Sequence, residues 1–108
     1  MAELHARAQR FTIKTAIRYR EVGGTHWFEG TTENISRSGV LFHADHVLEL
    51  NTALQMRFRL PPSMSADSSG QIHCQGSVMR AAPTDEARLI AIAASIRSYR
   101  FARGHLET

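Results

Sequence analysis

The chain is 108 residues long, with a mass of 12.1 kDa, which accommodates one domain (residues 1–108) around a single modest core and leaves no room for a second. Its 43% hydrophobic and 21% charged residues exclude a disordered chain, and the longest unbroken apolar stretch, 89–94, is far too short to span a membrane. The formal net charge is +3, and of the 13 basic residues all but Lys14 are arginines. The planar donor fork of arginine suits phosphate oxygens and the O6/N7 edge of guanine, although genome base composition produces the same bias.

The first ten residues form an N-terminal segment expected to be flexible. From 11 to 19, Phe11, Ile13, Thr15, Ile17 and Tyr19 alternate with Thr12, Lys14, Ala16 and Arg18, the period-two pattern of a strand with one buried face. Gly23 and Gly24 mark a hairpin turn over 22–25. A second strand resumes at Trp27 and runs to Glu33; of the adjacent Trp27 and Phe28, one faces the core and the other is a candidate partner contact. Residues 34–39 have turn chemistry, with Asn34 and Ser36 able to bond nearby amides and Gly39 tolerant of positive φ. A third strand follows over 39–43, then a linker or one helical turn over 45–50.

Leu54, Met56, Phe58 and Leu60 alternate with Gln55, Arg57 and Arg59 in a fourth strand that Pro61 and Pro62 end. The small polar stretch 63–70, with Met64 its only large apolar side chain, reads as a surface loop. A fifth strand is expected over 71–81, where Gly76 marks a bulge or a close backbone approach. After a turn at 83–86, residues 89–96 are apolar on both faces and fit a strand covered on each side. Beyond them, Arg97, Arg100 and Arg103 at three-residue spacing give residues 97–108 the pattern of a tail or short helix with a solvated basic face. The fold class is therefore all-β, a six-stranded antiparallel barrel over 11–96 whose closure removes exposed sheet edges.

Two local features carry candidate chemistry: Arg7 and Arg10 just before the first strand, and the turn Asn34-Ile35-Ser36-Arg37-Ser38-Gly39. Together they resemble the PilZ domain family, whose signature is RxxxR ahead of the first strand followed by [D/N]xSxxG. The second motif is complete here. In the first, aligning Arg10-Phe11 with its end places Ala6 at the leading arginine and Arg7 at an additional arginine that many members carry. The register that uses Arg7 and Arg10 gives RxxR, one residue short. The resemblance extends over most of the chain and implies a barrel that receives the bacterial second messenger cyclic di-GMP.

Two guanine edges and two phosphates call for fork-shaped donors, here Arg7 and Arg10, and for small polar groups on a rigid turn, here Asn34 and Ser36. Gly39 would leave room for the ligand, and Arg37 is a further candidate phosphate contact. Ligand binding would order the N-terminal segment like a clamp, and that ordering would be read by an effector protein. The alternative is a degenerate PilZ-like interaction module that does not bind cyclic di-GMP, as Ala6 hints.

Other chemistries have less behind them. His43, Asp45, His46, His73 and Cys74 match no zinc framework, so no metal or other cofactor is expected, and Cys74 reads as a small core residue. No nucleophile elbow or paired carboxylates accompany Ser36, which speaks against an enzyme. A nucleic-acid barrel is disfavoured because the aromatics form no evident stacking platform on one strand face.

Overall fold

The computed structural model describes residues 10–61 and 70–101. Its elements are β1 (Ala16–Glu21), β2 (Phe28–Ile35), β3 (Gly39–Ala44), β4 (Ala53–Arg59), β5 (Gln71–Pro83), β6 (Ile90–Ser95) and β7 (Ser98–Phe101). All pairings are antiparallel in the order β4-β1-β2-β3-β6-β5-β7, and β4 also pairs with β5, which closes six strands into a barrel. The alternation read along the chain supplies the lining. Ile17, Tyr19, Val40, Phe42, Leu54, Met56, Phe58, Ile72, Cys74, Val78 and Ile92 are buried inside. Their neighbours in sequence point out.

β1 begins at Ala16, five residues later than the alternation indicates, because a buried threonine takes over the ladder. Thr32 is 1% exposed; its Oγ1 accepts from Thr15 N at 2.9 Å and donates to Ile13 O at 2.6 Å. Farther out, Phe11 exchanges both backbone bonds with Ile35 as an isolated bridge, at 2.8 and 2.9 Å. Residues 11–15 thus lie along β2 without being strand, and they deliver Arg10 to its far end.

In the described part of 97–108, expected as a tail or short helix, the chain is a strand. Ser98–Phe101 is β7, paired with Ile72, His73, Cys74 and Gln75 of β5; Arg103 lies outside the described residues. β5 runs past the end of β6, so its free backbone groups capture the segment that follows, and the arginine spacing carries less weight than those hydrogen bonds. The crossover from β6 to β7 requires Gly76: a Cβ there would sit 1.5 Å from Ser95 O, and Arg97 N donates to Gln75 O at 2.8 Å beside it. Gly76 is thus the close backbone approach that its place in mid-strand indicated, whereas the register shift in β5 falls at Val78/Arg80.

Phe28 packs against the core with its ring 5.7 Å from that of Tyr19, so Trp27 takes the outside. The surface loop expected at 63–70 falls almost wholly outside the described residues, where Met64 also lies. Among the described residues no helix is long and apolar enough to cross a membrane.

Candidate functional site

The motif of residues 34–39 is only partly a turn. Asn34 and Ile35 are the last residues of β2, and the reversal itself spans Ser36 to Ser38. β2 carries a bulge between Thr32 and Asn34, with Thr32 opposite Phe42 and Asn34 opposite Leu41. The extra residue, Glu33, shifts the alternation by one. Ile35 therefore turns into the core, and Asn34 turns out to the surface, the re-aiming that bulges perform.

There Asn34 meets the segment ahead of β1. Arg10 Nη1 donates to Asn34 Oδ1 at 2.7 Å, joining residues 24 apart in sequence. With Oδ1 facing the guanidinium, the carboxamide NH2 points elsewhere and its donors stay available. Arg10 is exposed and Asn34 half-buried, so both present polar edges at the surface.

Ser36 is buried at 7% and serves the reversal: its N–H donates to Gly39 O at 2.8 Å, and Ser38 N donates to its hydroxyl at 3.3 Å. The hydroxyl also lies 3.4 Å from both Ser38 Oγ and Gly39 O, long contacts that a better partner can replace. Gly39 is not in the left-handed region, contrary to the turn chemistry expected of it. Its missing side chain instead accommodates β6, since a Cβ would lie 3.0 Å from Ala94 O. Arg37 is exposed beside them.

The same end of the barrel is open. Ile13, Ile35, Phe58 and Ile72 floor a cavity of about 480 Å³, walled by Phe11 and by Tyr99 and Phe101 of β7, with Ser36 and Arg37 at its polar margin. Sequence reasoning missed this mouth, because its walls come from both ends of the chain. The structure thus joins Arg10 to Asn34 and gathers Ser36, Arg37 and Gly39 in one reversal. Arg7 and Ala6 lie outside the described residues.

Among the described residues no three His, Cys, Asp or Glu side chains come together as metal ligands. His73 and Cys74 point to opposite faces of β5, with Cys74 inside, where burial pushes its thiol up to about 12. That environment makes it a core residue rather than a reactive one.

The family model described as PilZ domain matches residues 5–100. No curated protein sequence matches the chain. Among solved structures, one titled as Bacillus subtilis inhibitor of motility (MotI/DgrA) superposes with a TM-score of 0.72 at 14% identity. The match covers 95% of this chain and 46% of that one, so the chain spans under half the length of that structure.

Proposed function

The chain belongs to the PilZ domain family, whose domains are receptors and adaptors rather than enzymes, and from that premise we propose that it is a receptor for cyclic di-GMP. Arg10 and Arg7 supply forked donors to guanine and phosphate. Asn34 and Ser36 hydrogen-bond the base or phosphate from the rigid reversal, Arg37 adds a phosphate contact, and Gly39 holds the reversal against β6. The observation that carries this reading is the Arg10–Asn34 bond of 2.7 Å, which sets the two halves of the signature edge to edge. Ligand that inserts between them exchanges that bond for its own and draws the N-terminal segment over the reversal, changing the surface offered to an effector protein in the cytoplasm.

Calorimetric titration with cyclic di-GMP tests the proposal. A bidentate arginine contact is worth about 1–3 kcal/mol, so Arg10→Ala is expected to weaken binding by roughly five- to 150-fold. Absence of heat at high ligand concentration, or binding indifferent to Arg10→Ala, overturns it. Ala6→Arg separates the alternative: a chain that binds only after that substitution is an interaction module that works without the ligand.

A further inference from the structure

The outer face of the sheet formed by β1, β4, β5 and β7 carries a row of three arginines with a histidine among them. In register, Arg18 stands opposite Arg57, Arg57 opposite His73, and His73 opposite Arg100. Four strands at a spacing of about 4.8 Å make this row about 14 Å long. Like charges directly opposite each other destabilise an antiparallel pair. Glu29 of β2 stands opposite Arg18, whereas no carboxylate stands opposite Arg57 or Arg100 in the strand register.

Trp27 lies over this row, half-buried. Its ring is 4.5 Å from the guanidinium carbons of both Arg20 and Arg57 and 5.8 Å from that of Arg18. Stacking holds a guanidinium flat and leaves its edge N–H groups directed outward, the arrangement that accepts a carboxylate bidentately. Alongside runs a second row, uncharged beyond its first member: Arg20 opposite Gln55, Gln55 opposite Gln75, and Gln75 opposite Ser98. Arg20 Nε donates to Gln55 Oε1 at 2.7 Å and so turns the Gln55 amide donors away from itself. Between the rows is a concavity of about 380 Å³.

We propose that this face docks an extended acidic segment of a partner protein. Carboxylates on alternate residues of such a segment recur about every 6.7 Å, so two or three of them meet the cationic row, while the amides and hydroxyl of the second row meet its peptide groups. Single-stranded nucleic acid fits less well. The Trp27 ring is already covered by guanidiniums, and the second row offers amides where a further stacking platform would be required. The surface goes beyond the cyclic di-GMP site, which lies at the β2–β3 reversal, and rests on the adaptor reading only in requiring a protein partner.

Trp27 is the only tryptophan in the chain, so its fluorescence reports on this face directly. The full chain is titrated with fluorescein-labelled oligoglutamate, followed by both anisotropy and Trp27 emission, with oligoglutamine and oligothymidylate in parallel. Oligoglutamate is expected to bind and shift the emission, and oligoglutamine to do neither. Arg57→Glu and, away from the Trp27 stack, Arg100→Glu are each expected to weaken binding about tenfold or more, whereas Arg88→Glu on the β5–β6 turn leaves it unchanged. Tighter binding of oligothymidylate, an unmoved emission, or an equal loss with Arg88→Glu overturns the proposal. Cyclic di-GMP titration of Arg57→Glu keeps the two sites apart, since its affinity is expected to equal that of the unaltered chain.

Discussion

Arg10 and Asn34 are joined side chain to side chain at 2.7 Å, and the bond exists because a bulge has turned Asn34 out of the β2 alternation. The residue that completes the contact is thus placed by a backbone irregularity one position upstream. Asn34→Ala removes the acceptor at a surface site, where little packing is lost. Cyclic di-GMP affinity is expected to fall at least about fivefold while the unfolding free energy changes by about 0.5 kcal/mol or less. Calorimetry and urea denaturation on the same preparation check both.

Thr32 is expected to matter more for stability than any residue of the site. Its hydroxyl serves Thr15 N and Ile13 O at once, so Thr32→Val keeps the shape and strands a buried donor and acceptor. The cost is about 1–3 kcal/mol, read from the urea midpoint. Because this bond ties residues 12–15 to the barrel, ligand affinity falls with it.

Gly76 has no tolerance for a side chain. Gly76→Ala drives a Cβ into the backbone at Ser95, where no rotamer relieves it, and is expected to cost about 1–3 kcal/mol or more in thermal or urea unfolding. Gly23→Ala is the contrast: φ is +90° there, but nothing lies within 4 Å, so the loss comes from backbone strain alone and is smaller, about 1 kcal/mol.

Cys74 sets an alkaline limit. Burial pushes its thiol from 9.0 up to about 12, and burial, aided by the charge of Asp45, also raises the Tyr19 hydroxyl. Between these values the unfolded chain has lost protons that the folded chain keeps, so stability is full below about pH 9 and declines as pH rises toward 12. Cys74→Ala is expected to flatten that decline, measured as urea midpoint against pH. In native protein near neutral pH the thiol is expected to resist a thiol-specific disulfide reagent until denaturant is added.

Local pattern was enough to assign the barrel. Period-two alternation at Ile17 and Tyr19, at Leu54, Met56 and Phe58, and at Ile72 and Cys74 states which side chains turn inward, since burial follows from neighbours one and two residues away. The signature from Asn34 to Gly39 was legible for the same reason, being contiguous. Other features depended on backbone groups finding partners far away in the chain. Hydrogen bonding through Thr32 delayed β1, a bulge at Glu33 turned Asn34 outward, and unpaired groups on β5 drew Ser98–Phe101 into β7 against the helical spacing of Arg97 and Arg100. The register that aligns Arg18, Arg57, His73 and Arg100 is likewise invisible along the chain, because strand pairing, and not sequence distance, decides which charges face one another.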